Sequence, residues 1–270
     1  MDGGVADEKG SLLKSTQNPE TACIADDTDA APAADPAETD DEDIFADWSV
    51  EPDGGNGPVV SDGMLYYTGA PDGVTMLYAA KADGSGEALE AVLPGNAWPQ
   101  GLYASGNRVA VAAQVYGGQE ERAEVYLYCL TEDALTLEHV YSQTGSLMAV
   151  RQEGETLAVF TASDPEVRWS LDGAEAAAEP MDAPYPLRGA VMGIGRLTLD
   201  GTAQAHSLAG GAAQFYVSEN NVYAGFVSDG KTDIMRVHAD GGIEPVGTVP
   251  VEVEWSSCYH ERDGVLYVTP

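Results

Sequence analysis

Positive charge is scarce in this chain. Lysine and arginine together number 12, against 45 aspartates and glutamates, for a formal net charge of −33. The deficit runs the whole length: residues 1–53 carry −14 and the remainder −19. Both parts repel a phosphate backbone and an anionic membrane surface, so nucleic acid and direct membrane binding are not expected. Cations and basic protein surfaces stay open as partners, although acidity often serves solubility alone. Cysteine is scarce as well. Cys23, Cys129 and Cys258 are odd in number and widely spaced, with no Cys-x-x-Cys, which excludes a zinc knuckle or a dithiol redox motif. Cys129 lies in the strand pattern Val125–Leu130 and reads as a small buried hydrophobe, with a Cys129–Cys258 bridge as the alternative. Cys23 follows Glu20-Thr21-Ala22 without an apolar run, so no lipid anchor is read there.

Long hydrophobic runs are missing too. Nothing approaches the ~18–20 apolar residues of a membrane span, and no signal peptide is written. The chain therefore reads as cytoplasmic, or as exported with its leader or anchor segment trimmed away. Catalytic constellations are equally scarce. His139, His206, His238 and His260 are scattered, with no metal-ligand spacing among them. There is no Gly-x-Ser-x-Gly elbow. Gly193-Ile194-Gly195 lacks the third glycine of a dinucleotide loop and lies in a strand pattern. The Asp-Gly pairs lack the dense carboxylate series of a calcium loop. No cofactor or metal is expected, and the chain is read as non-enzymatic.

What the chain does contain is turns and short β-prone runs. Met64-Leu65-Tyr66-Tyr67 follows Asp62-Gly63, and Met76–Ala80 follows Asp72-Gly73. Asp83-Gly84 then precedes the weaker run Ala88–Val92. Asp-Gly between β-prone runs is a hairpin signal, because both central residues of the tight turn take positive φ. The meander recurs at residues 102–141, 148–162, 215–250 and 258–270. In the second copy Gly106-Asn107 is the turn, Gly117–Arg122 the next loop and Ala123–Leu130 the following strand. The anchor positions Leu65, Val109, Leu157, Val222 and Leu266 are separated by 44, 48, 65 and 44 residues. Four-stranded propeller blades repeat at about 40–50 residues. The long interval is one blade plus an insertion at about residues 163–188, with Gly193–Leu199 and Ala203–Leu208 as that blade's outer strands. The expected fold is thus all-β: a β-propeller of about five antiparallel meanders over residues 46–270, its ring either closed by a strand near Trp48 or incomplete, as part of a longer propeller. A β-sandwich is the competing architecture, but it gives no reason for the period. Residues 1–45, rich in Asp, Ala, Thr, Pro and Glu, read as a disordered acidic stalk, with Ile44-Phe45 and Trp48–Val50 the first residues able to dock.

The stretches SLAGGAAQFYVSENNVYAGF (207–226), TDIMRVHADGG (232–242) and DGVLYVTP (263–270) carry a resemblance. With NRVAVAAQ (107–114), AEVYLYCL (123–130) and LMAVRQEGETLAVFT (147–161), they resemble bacterial secreted proteins with a C-terminal β-propeller distantly related to WD40 repeats. The acidic entry motif usual before the first blade of that family is absent here. The resemblance implies a secreted or surface-tethered propeller without an assigned reaction.

The insertion is the most informative local feature. Long loops are uncommon and often functional. This one holds Arg168-Trp169 and Tyr185-Pro186-Leu187-Arg188, the residue types that anchor interfaces. Arg168, Trp169, Tyr185 and Arg188 are therefore the candidate partner-binding residues, for a protein or a glycan. The competing reading makes 166–171 an ordinary strand with Trp169 in the core. Trp98 and Trp255 form a possible carbohydrate platform, or pack between blades. The function expected is an extracytoplasmic binding module, monomeric. A hydrolase or lyase with a site at the channel mouth, and a structural piece of a longer propeller, are the alternatives.

Overall fold

The computed structural model describes residues 57–117, 120–163, 166–181, 191–208, 212–218, 221–238, 240, 242–253, 258–262 and 264–269. Residues 1–45, Trp48, Tyr185, Arg188 and Trp255 lie outside them, and with them the stalk, the ring-closing strand and two of the four candidate binding residues. The chain is all-β. Among the described residues there is no α-helix, and no helix long and apolar enough to cross a membrane.

Among the described residues five sheets follow one another along the chain, antiparallel but for one short pair in the third, and none closes into a barrel. The first is β1 (Val59–Ser61), β2 (Met64–Gly69), β3 (Met76–Lys81) and β4 (Leu89–Val92), in that order. The second begins with β5 (Ala97–Ser105), β6 (Arg108–Val115), β7 (Arg122–Leu130) and β8 (Leu135–Thr144). The third is β9 (Ser146–Glu153), β10 (Thr156–Ser163), then, past the insertion, β14 (Val191–Thr198) and β15 (Ala203–Leu208). The fourth is β16 (Ala212–Val217), β17 (Val222–Ser228), β18 (Lys231–Val237) and β19 (Ile243–Val249). The fifth has two strands, β20 (Tyr259–Arg262) and β21 (Val265–Val268).

Local turn chemistry explains the hairpins. Asp62-Gly63 and Asp229-Gly230 take positive φ at both residues, as a tight two-residue hairpin requires. Asp72-Gly73, with the same pair of positive φ values, lies instead in a 3-10 turn within the six-residue link between the next two strands of the first sheet. Asp83-Gly84 behaves differently: only Gly84 is left-handed, and the Asp83 carboxylate accepts the Ser85 N–H at 2.8 Å. That local capping holds the Asp83 carboxyl below its usual range.

Side-chain alternation stacks the sheets. On β6, Val109, Val111, Ala113 and Val115 pack with Tyr66, Leu77 and Ala79 of the first sheet. Ala110 and Ala112 face the other way, onto Val150, Leu157 and Val159 of the third. On β10, Ala158 and Phe160 join Phe215, Val222, Ala224 and Phe226 of the fourth sheet. Tyr223 and Ile234 then meet Tyr259 and Leu266 of the fifth. An inner sheet covered on both faces reads as a nearly continuous apolar run, which is why 109–115 lacks a polar side. Val60 and Val92 on the first sheet, and Val265 and Tyr267 on the fifth, are exposed.

The insertion departs from the expected arrangement. Its strands β11 (Arg168–Leu171) and β12 (Ala174–Ala177) leave the third sheet and extend the second, β11 pairing with β8. The turn is a further Asp-Gly hairpin, Asp172-Gly173. The short β13 (Glu179–Pro180) then returns to pair parallel with β15 of the third sheet. The described part of the insertion thus bridges two sheets. Cys129 and Cys258 are free, half-buried thiols. The bridge between them is not formed, and Cys129, where β7 nears its end, is less buried than its strand pattern suggests.

Candidate functional site

Two of the four candidate residues are described, and internal contacts occupy both. Arg168 donates from Nη2 to Glu120 Oε1 at 2.6 Å, and its Nε stands 3.5 Å from Glu166. Both partners are exposed, so this ion pair adds at most about 1 kcal/mol. Trp169 is half-buried. Its ring stacks on Tyr141 with centroids 6.0 Å apart, and its indole N–H donates to the Ala177 carbonyl at 3.3 Å. On the same hairpin Asp172 accepts the His139 Nδ1–H at 2.8 Å and the Val140 N–H at 2.9 Å. The hydrogen bond from His139, then that from Val140, holds the Asp172 carboxyl below its usual range. These contacts pin the insertion to β8. Trp169→Ala is expected to cost about 2 kcal/mol, read from the urea midpoint of the full chain. A loss under about 0.5 kcal/mol would show that the tryptophan does not hold the hairpin.

A buried polar network lies beneath it. The Tyr141 hydroxyl donates to Gln143 Oε1 at 2.5 Å, and Gln143 Nε2 donates to Thr161 Oγ1 at 2.7 Å. Thr161 in turn donates to the Thr144 carbonyl at 2.9 Å. Gln143 and Thr161 are wholly buried, so every partner matters. Gly193 and Gly195 make the room. A Cβ on Gly193 would lie 2.5 Å from Gln143 Nε2, and one on Gly195 would overlap the Tyr141 hydroxyl. Glycine at these two strand positions answers to close approach between the second and third sheets.

The histidines serve separate local pairs. His206 lies 3.9 Å from Glu179, His238 lies 3.6 Å from Glu244, and His260 is exposed on β20. Among the described residues, no three His, Cys, Asp or Glu side chains gather to hold a metal.

Exposure points to a different place. Trp98 is 65% exposed and Tyr116 is 53% exposed, so Trp98 does not pack between sheets. Trp98 on β5 lies opposite Gln114 on β6, and the Tyr116 N–H extends the ladder to the Asn96 carbonyl at 3.2 Å. Trp98 and Tyr116 are therefore diagonal neighbours at one end of the second sheet, with Cα atoms about 7 Å apart. Gln114 between them is buried. It accepts the Leu147 N–H at 2.6 Å and donates to the Arg122 carbonyl at 3.2 Å, which fixes the rim to the third sheet. At the same end Glu124 accepts from Arg122 Nε at 2.6 Å and from the Tyr126 hydroxyl. Two rings at strand ends, one before Pro99 and one before Gly117, are visible in the sequence, but their exposure is not.

No protein-family model matches the chain, and no curated protein is similar to it in sequence.

Proposed function

We propose that this chain is a non-enzymatic binding module working outside the cytoplasm, a β-propeller of about five blades that presents the Trp98–Tyr116 rim to a protein or glycan. Four meanders and a two-stranded hairpin in chain order, each packed on the next, support the propeller. The resemblance to secreted propeller proteins and the acidic composition of residues 1–45 support an exported, tethered role. The observation that carries the binding reading is the pair of large aromatic rings left in water on a rim whose backbone is fixed. Exposed Trp and Tyr offer flat apolar area at little conformational cost, suited to a sugar face or an aliphatic side chain.

The test is an array of cell-surface glycans and peptides probed with the full chain, followed by titration of the best ligand. Trp98→Ala combined with Tyr116→Ala is expected to weaken that ligand roughly thirtyfold, the worth of about 2 kcal/mol. Its melting temperature should stay near that of the parent, because neither ring supports the core. Unchanged affinity in the double variant removes the rim from the proposal. Failure of every array member to bind removes the binding module itself.

A further inference from the structure

The rim at the end of the second sheet holds more than two rings. One step beyond the last paired residues of β6 and β7, Val115 and Arg122, stand Tyr116 and Glu121. The Gly145 N–H donates to the Glu121 carbonyl at 2.8 Å, continuing the Arg122–Thr144 pairing of β7 with β8, so Glu121 lies in register beside Tyr116. Side chains two residues apart on a strand share a face. Gln114 turns to the third sheet, and Tyr116 and Trp98, which is opposite Gln114, turn the same way. So does Glu121, whose carboxylate accepts from the hydroxyl of Ser146, the first residue of β9. Trp98, Tyr116 and Glu121 thus form one row on one face, and all three are exposed. Ser146 occupies only one of the carboxylate oxygens, and among the described residues no lysine or arginine pairs with Glu121.

We infer, resting on the reading of this rim as the binding site, that its partner is a basic protein segment, and that an arginine of that segment lies on the Trp98 and Tyr116 rings with its guanidinium donating to Glu121. A guanidinium can place its flat face on an aromatic ring and its edge donors on a carboxylate at the same time. Directly opposed strand residues have Cβ atoms about 4.5–5.5 Å apart, so a cation on the Tyr116 ring comes within reach of the Glu121 carboxylate. A sugar fits the same rim poorly, because unengaged polar side chains are needed around a stacking ring to fix its orientation. At this end of the sheet such groups are engaged: Gln114 by the Leu147 N–H and the Arg122 carbonyl, Glu124 by Arg122 and the Tyr126 hydroxyl, Arg168 by Glu120. Acidic glycans and acidic proteins are repelled by a chain of net charge −33, whereas a basic segment is drawn toward it.

The probe is a short fluorescent peptide of alternating arginine and glycine, titrated against the full chain in low and physiological salt. A second peptide carries citrulline at each arginine position, which keeps the planar group and removes the charge. The arginine peptide should bind, with affinity falling as salt rises, and the citrulline peptide should bind roughly tenfold more weakly. Trp98→Ala combined with Tyr116→Ala leaves the net charge at −33 yet should weaken the arginine peptide roughly thirtyfold. Glu121→Gln should weaken it roughly fivefold, while Glu90→Gln, the same change of charge on β4 of the first sheet, should leave it within about twofold. Equal weakening by Glu121→Gln and Glu90→Gln overturns the inference, because the attraction is then diffuse. So does an arginine peptide that is indifferent to the loss of both rings, or equal binding of the two peptides. A glycan or neutral peptide that binds where the arginine peptide does not, and that loses affinity with the two rings, overturns the inference and leaves the rim as the binding site. No binding by any probe removes both.

Discussion

Gly145→Ala is expected to cost about 4 kcal/mol, the largest effect of any single methyl group added to this fold. Gly145 is the one residue between β8 and β9, where the chain passes from the second sheet to the third. It is buried, its φ is +105°, and its N–H donates to the Glu121 carbonyl at 2.8 Å. A Cβ there would overlap the Ala162 carbonyl oxygen and lie 2.7 Å from the carbonyl carbon. Those are backbone atoms of β10, which is laddered to β9 on one side and β14 on the other, so they cannot retreat. The backbone conformation costs an L-residue about 1–3 kcal/mol, and the overlap adds a similar amount. For a domain of this size the melting temperature should fall by about 10 °C. A loss below about 1 kcal/mol would mean that the link between the sheets shifts freely, and that the two do not pack as one body.

The second large effect is alkaline. Burial pushes the Tyr128 and Tyr259 hydroxyls up to about 12. Burial also raises Tyr66, Tyr126, Tyr141 and Tyr223, with a hydrogen bond to Glu124 adding to the effect on Tyr126. A tyrosine in the unfolded chain ionises near pH ~10. Its folded-state value is higher, so the neutral ring stabilises the fold fully below that pH, and the contribution is lost as pH rises through about 12. A shift of ~2 units is worth roughly 3 kcal/mol for each of these two rings. The fold should therefore collapse in one step between about pH 10 and pH 12, with the last rise in tyrosinate absorbance, that of the buried rings, coinciding with loss of the β circular-dichroism signal. Tyrosinate absorbance that reaches its full amplitude while the β signal persists would show that these hydroxyls are hydrated, against the packing described.

Both effects arise in the sheet interfaces, which the sequence marks only indirectly. The run VAVAAQV at 109–115 is recognisable as a strand covered on both faces, but nothing in it names the sheets that cover it. Gly193 and Gly195 can be rejected as a dinucleotide loop from their spacing. Their reason, the approach of Tyr141 and Gln143, comes from residues some 50 positions away. Arg168 and Trp169 stand out in an acidic chain as partner-binding candidates, yet Glu120 and Tyr141 hold them. The Asp172-Gly173 hairpin has the same turn signal as the others, but it falls inside the interval that breaks the period. The edge to which it is delivered is chosen by pairing with β8.

The sequence by itself determined the strands, the tight turns and the order of the meanders. Those signals are local: side chains alternate every second residue, and Asp-Gly tolerates positive φ whatever surrounds it. Only the tertiary structure decided that the described part of the insertion spans the second and third sheets, and that Trp98 and Tyr116 stay in water. Exposure and edge pairing depend on what the rest of the chain brings alongside a residue, and distant packing partners leave no mark in the short pattern that makes a strand.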